Sequence, residues 1–302
     1  MWRFSSTSLV ILCGATIPNP DPSTSGDLVP ATIDHGTTRD GLIQFRRRWS
    51  PVGPPRAAIL LLHGISEHTG RYEHVGDHLA SAGFEVVGID HRGHGRSGGK
   101  RAHIDDWSEF LDDVEDQLAE VRAFDIPTVM LGHSMGGLMT ISYCLDGREL
   151  PDLAVVSGPA LGVELSSKQH VFQLVGPLLR RLAPAFELRE EFDATVFAAD
   201  TSVGEKFRDD PLRADFVTVG IAMELLGALE VANERLASLD VPTLCLHGAD
   251  DKLVPAWSSD PLATIGGAER IVYDGLGHEI FNEPSGLDIV DEVVRWIDAH
   301  LD

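Results

Sequence analysis

Apolar and polar positions along the chain follow a regular pattern from residue 31 onward. Residues 42–49 alternate apolar and polar after an Arg39-Asp40-Gly41 turn, the period-two signature of an early antiparallel hairpin. Short apolar runs of the buried-strand kind then stand at 57–62, 84–89, 128–131, 153–157, 243–246 and 270–273. Helical spacing fills most of the gaps between them, at 72–82, 107–123, 135–145 and 286–301. Strands alternating with helices in this way predict an α/β fold, a mostly parallel central sheet with helices on both faces.

One connection breaks the rhythm. Between the strand ending near Ser157 and the strand starting near Thr243 lie roughly 80 residues, where a helical crossover usually needs about 15 to 25. The excess carries its own helical signals, an apolar-rich stretch at 171–186 and another at 213–229. The chain therefore divides into a core at 31–158 and 241–302 and a cap or lid at 159–240, inserted between strands 6 and 7 over the carboxyl end of the sheet. Residues 1–30 read differently. Arg3 and the short apolar stretch 9–13 precede a loop rich in Pro and Ser. That apolar stretch is short for a signal peptide, and Leu12 before Cys13 is large for lipoprotein processing. A disordered leader and a cytoplasmic location are the simpler expectation, with export through this segment as the alternative.

Composition narrows the partners. Twenty-four basic against 47 acidic residues give a net charge of −23, and only four of the basic residues are lysines. Such a field repels nucleic acid and anionic membrane and suits a neutral or cationic substrate. A salt-rich habitat would produce the same acidity. No apolar run is long enough to span a bilayer, and nothing in the chain assigns an oligomeric state. The three cysteines, Cys13, Cys144 and Cys245, have no CxxC spacing and read as reduced thiols, the last two as buried packing.

The strongest chemical signal is Gly132-His133-Ser134-Met135-Gly136. The G-x-S-x-G pattern gains meaning because it follows a predicted buried strand and opens a helix, which places Ser134 on a tight, strained turn. A serine hydroxyl needs a base against it. Of 13 histidines, His278 follows the last strand and precedes the last helix, at the carboxyl edge of the sheet. An acid after the preceding strand would orient it; Asp250 and Asp251 both qualify. The order Ser, Asp, His is that of the α/β-hydrolase fold. Its oxyanion hole calls for one backbone N–H from the residue after the nucleophile, Met135, and one from the loop holding His63-Gly64-Ile65. His91 and His94, with Asp90, His63 and His68 nearby, have an H-x-x-H spacing, but the intervening glycines and the lack of HExxH predict no metal site. These histidines are expected to hydrogen-bond the loops around the site. Loss of catalysis would be expected to remove a triad member, and none is missing; haloalkane or epoxide chemistry would call for Asp at position 134.

The segments His63-Gly64-Ile65-Ser66-Glu67-His68-Thr69-Gly70-Arg71-Tyr72, Asp90-His91-Arg92-Gly93-His94-Gly95-Arg96-Ser97, Gly132 to Gly137 and Gly277-His278-Glu279-Ile280-Phe281-Asn282-Glu283-Pro284 together resemble the monoacylglycerol lipase family, especially its bacterial members. The resemblance runs from about Asp34 to the end. It implies a serine hydrolase that releases fatty acid and glycerol from a lipid ester without a cofactor. It favours Asp251, third after Gly248, as the acid, and puts the first oxyanion donor on Ile65, where many members have a smaller residue. Polar contacts to the glycerol side fall on Glu67 and Arg71; a surface salt bridge between those two would explain the pair as simply. Phe281 stands where animal members carry a second histidine. The stretch 171–186 would shelter the acyl chain and offer transient contact with micelles or membrane, although a packed core helix accounts for it equally well. A lysophospholipase or broad carboxylesterase keeps the same machinery on another substrate.

Overall fold

The structure is a computed structural model, and it describes residues 30–163, 167–189 and 193–301; nearly all of the leader and the position of Cys13 lie outside them. The alternating segment forms the expected hairpin, β1 (Thr32–Thr37) against β2 (Ile43–Trp49). The core then continues through β3 (Ala58–Leu62), α1 (Glu73–Ser81), β4 (Glu85–Ile89), α2 (Ser108–Arg122), β5 (Thr128–His133), α3 (Met135–Leu145) and β6 (Leu153–Ser157). After the long connection come β9 (Thr243–Gly248), β10 (Ala268–Tyr273) and α7 (Gly286–Leu301). The eight strands lie in the order β1-β2-β4-β3-β5-β6-β9-β10, parallel from β4 onward.

Because β3 is buried on both faces, its alternating residues enter two cores. Leu60 and Leu62 pack with α2 and α3, whereas Ile59 and Leu61 pack with α1 and α7. The register brings the carboxyl ends of the strands into line: Leu62 sits opposite Gly132, His133 opposite Ser157, and Ser157 opposite Leu246. Loops leaving β3, β5, β6 and β9 therefore emerge side by side.

The long connection holds α4 (Ser167–Leu182), β7 (Glu187–Leu188), α5 (Thr201–Arg208), β8 (Val217–Thr218) and α6 (Val219–Arg235). Two expectations are corrected here. The second helix begins at Val219 rather than 213, capped by the Thr218 hydroxyl, and runs on to Arg235. The β-branched pair Val217–Thr218 is instead drawn into a two-stranded ribbon with β7. The stretch 171–186 is not a packed core helix. Leu174 is 83% exposed, Leu178 60%, Leu182 72% and Phe186 60%. On its inner side α4 touches α6 so closely that a Cβ on Gly176 would lie 2.4 Å from Met223 Sδ.

Close approach also governs the start of α3. A Cβ on Gly136 would lie 2.2 Å from the Leu62 carbonyl oxygen, and one on Gly132 would lie 2.2 Å from the Gly136 carbonyl oxygen. Neither neighbour is a flexible side chain, so a methyl group has to push α3 off the sheet. We expect Gly136→Ala to lower the urea-unfolding stability by about 1–3 kcal/mol. Gly227→Ala, in α6 with nothing within 4 Å of the added atom, should raise it by about 0.4–1 kcal/mol. Equal effects of the two substitutions would refute the packing argument.

Candidate active site

Ser134 sits between β5 and α3 with φ 54° and ψ −115°, a left-handed backbone that costs a non-glycine residue about 1–3 kcal/mol. Neighbouring strands impose it. The Ser134 N–H donates to Ser157 O (2.9 Å), and the Ser134 carbonyl accepts from Leu138 N (3.0 Å) and Ala160 N (3.1 Å). Met135 is the first residue of α3, so its N–H belongs to the helix-start donors that have no intrahelical acceptor. The loop after β3 passes directly beside the serine: a Cβ on Gly64 would lie 3.2 Å from Ser134 Cβ. Ile65 follows, half-buried against the core, and Ser66 after it is a second left-handed residue (φ 60°).

Across the cleft, His278 Nδ1–H donates to Asp251 Oδ2 at 2.6 Å, which leaves Nε2 as the nitrogen free to exchange protons. Burial disfavours the His278 cation, but the adjacent Asp251 charge outweighs it and raises the pKa above the ordinary histidine value. Asp251 is fully engaged. Its Oδ1 accepts from Leu253 N (2.9 Å) and Val254 N (2.8 Å), and its Oδ2 also receives His247 Nε2 at 3.2 Å. Although burial alone would raise it, His278 and these donors hold Asp251 well below the usual carboxylate range. Asp250, the other candidate from the sequence, is exposed, and only its backbone N–H is used, on Leu276 O (3.0 Å). Gly158, left-handed at φ 48°, presses on the pair: a Cβ there would lie 3.2 Å from His278 Nδ1 and 3.5 Å from Asp251 Oδ2.

Beneath the site lies a buried charged layer. The surface salt bridge between Glu67 and Arg71 does not form. Glu67 is 4% exposed and accepts from Tyr72 Oη (2.8 Å) and weakly from Gly64 N (3.4 Å). Arg71 pairs instead with Glu279 and lies over the Phe207 ring, 4.9 Å from its centroid. Burial and the nearby Glu67 charge push the Glu279 carboxyl upward against the pull of Arg71. His133 is held neutral by burial and by His278, whose ring centroid is 4.7 Å away, with a pKa lowered to about 4.

His63, His91 and His94 hydrogen-bond the loops around the site, as expected. His63 Nδ1 bonds Gly64 O (2.7 Å), His63 Nε2 accepts from His91 N (3.0 Å), and His91 Nε2 returns to His63 O (2.9 Å). Burial lowers His91 to about 3 and His94 to about 4, so both rings are neutral. His300 is exposed, and Cys144 and Cys245 are buried free thiols, as expected. The structure thus brings Ser134, the Ile65 and Met135 backbone and the Asp251–His278 pair to one edge. Neither His247 nor Gly158 is marked as functional by the sequence; only the position of Gly158 after a strand reaching that edge could have pointed to it.

Comparison with known proteins places the chain among relatives. Residues 53–285 fit the family model described as serine aminopeptidase, S33. The chain is 39% identical over 263 residues to a monoacylglycerol lipase of Mycolicibacterium smegmatis, covering 84% of this chain and 92% of that one. It is 32% identical over 255 residues to the phospholipase YtpA of Bacillus subtilis, covering 82% and 97%. The crystal structure of Paleococcus ferrophilus monoacylglycerol lipase superposes with a TM-score of 0.77 at 26% identity, over 85% of this chain and 99% of the other. The chain belongs to the serine aminopeptidase S33 family of α/β-hydrolases.

Proposed function

We propose that the protein is a monoacylglycerol lipase in which Ser134, His278 and Asp251 form the catalytic triad. The observation that carries it is the Asp251–His278 hydrogen bond beside a left-handed serine. Ser134 Oγ attacks the ester carbonyl carbon while His278 Nε2 takes the hydroxyl proton. The Ile65 and Met135 N–H groups stabilise the oxyanion, each worth about 10²–10³ in rate. Collapse breaks the bond to the glycerol oxygen, which leaves with the proton from His278. Water then attacks the acyl-enzyme, passing its proton to His278, which hands it to Ser134 Oγ as the bond to the acyl group breaks and the fatty acid leaves. Asp251 stays ionised throughout and stabilises the imidazolium. Arg71 and Glu67, buried beside this chemistry, shape the alcohol side of the site.

Residues 159–240 act as a cap over the carboxyl edge and shelter the acyl chain. The exposed leucines of α4 support transient docking on a lipid surface, with Arg180 and Arg181 in the last turn of the same helix. Among the described residues no helix is long and apolar enough to cross a membrane. A phospholipase reading is favoured by the likeness to the Bacillus subtilis enzyme. The net charge of −23 supports the uncharged glycerol ester instead.

Glycerol and fatty-acid release from monoacylglycerols of varied chain length, beside diacylglycerol, lysophosphatidylcholine and a butyrate ester, decides between them. We expect preference for monoacylglycerol and a loss on the order of 10⁶ in turnover for Ser134→Ala. Preference for the lysolipid would keep the triad and sink the lipase assignment. The acid limb of the kcat/KM profile should have its midpoint above the unperturbed value of about 6.5, because the raised His278 pKa keeps the base protonated to higher pH. Asp251→Asn should move that limb to lower pH and reduce kcat by about 10⁴, and an unmoved limb would remove Asp251 from the triad. Finally, Leu174→Asp/Leu178→Asp should weaken binding to phosphatidylcholine vesicles about tenfold or more while butyrate hydrolysis stays within about twofold. Undiminished vesicle binding would exclude α4 as the docking face.

A further inference from the structure

The residues on either side of His278 are both bonded to the long connection between β6 and β9. On the far side, the Glu279 N–H donates to Phe197 O at 2.8 Å. On the near side the link runs through a single carboxylate. Glu283, 5% exposed, receives Gly277 N (3.2 Å) and Ala199 N (2.5 Å) on Oε1, and Asp200 N (3.1 Å) on Oε2. Three backbone donors from two separate parts of the chain therefore converge on one buried side chain.

The seam is packed closely at one point. At Ala198 the chains touch so tightly that a Cβ on Gly277 would lie 2.8 Å from the Ala198 Cα. Immediately beside that contact opens a cavity of about 400 Å³, bordered by Thr195, Ala198, Ala199, Asp251 and Gly277 among others. Charge suits the remaining contact: Ala199 and Asp200 lead directly into α5, whose N-cap is Asp200, and a carboxylate is favourable at a helix start. Charge-assisted bonds to backbone N–H groups are also stronger than neutral ones.

We propose that Glu283 is a positioning residue that locks the loop carrying His278 to residues 197–200, so that His278 and the segment of the connection above it are placed by one clamp. This rests on the reading of His278 as the catalytic base. Release of the clamp leaves Ser134, its oxyanion donors and the Asp251–His278 bond chemically intact. It lets the His278 backbone drift, and an error of about 1 Å in such a group costs about 10²-fold in rate.

The test is a pair of variants, Glu283→Ala and Glu283→Gln, assayed on a soluble butyrate ester and mapped by hydrogen exchange. For Glu283→Ala we expect kcat to fall about 10²-fold with KM changed by less than about threefold. Amide exchange should rise at 197–200 and at 277–279 together. The glutamine is isosteric and keeps one acceptor oxygen for Gly277 and Ala199, so it should fold and lose only about tenfold, which keeps the test valid if the alanine variant does not fold. Exchange that rises at 197–200 alone with kcat unchanged would reduce Glu283 to an anchor of the connection and overturn the proposal. Wild-type turnover in the glutamine variant with unaltered exchange would overturn it equally. Ser134→Ala separates the two readings: an active Ser134→Ala enzyme defeats the triad itself, whereas an inactive one beside fully active Glu283 variants defeats only the clamp.

Discussion

The approach of α3 to the carboxyl end of β3 is the constraint on which the site depends. The helix starts within van der Waals distance of the Leu62 carbonyl only because positions 132 and 136 carry no side chain. That closeness forces the intervening residue into left-handed backbone, and the bonds to Ser157, Leu138 and Ala160 hold it there. The same geometry brings the Gly64 backbone directly beside Ser134. The strained turn and the nearby donors are thus consequences of a single packing decision, stabilised by two cores that sandwich the sheet.

Electrostatics supplies the second layer. Asp251 accepts from four groups, two backbone and two imidazole, and so remains charged though buried. Its charge keeps His278 basic against the desolvation that neutralises His63, His91, His94 and His133 in the same region. One histidine among five is therefore distinguished by its partner and not by its burial. The glutamates below are disposed unequally: despite burial, the Arg71 charge and the Tyr72 hydrogen bond lower the Glu67 pKa, while Glu279 is pushed the other way.

Much of this was legible in the chain because it is written locally. Strands such as Ala58–Leu62 are continuous apolar runs, and α3 and α7 have the bounds their periodicity predicts. Ser134 and His278 follow from strand-to-helix position alone. Asp251 against Asp250 could not be settled by spacing, since the choice lies in which of two adjacent side chains turns toward His278. The long connection was read least well. Its residues are chosen for contact with other segments and with solvent, so α5, an eight-residue helix with two buried apolar side chains apart from Gly204, left no periodic trace. The Glu67–Arg71 pairing failed for a related reason: Arg71 finds Glu279, which is more than two hundred positions away in the chain.

The backbone bonds at Ala199 and Asp200 bear on how such enzymes diversify. A connection of this length on a loop of the sheet invites wholesale replacement, and recombination there would be an economical route to new specificity. Yet the residues that meet Glu283 and Glu279 contribute main-chain groups, whose presence depends on path and not on residue identity. Sequence in this region is accordingly free to drift, while the trajectory of the chain past the histidine loop is not. Grafts that ignore that trajectory would arrive with a suitable acyl pocket and a misplaced base.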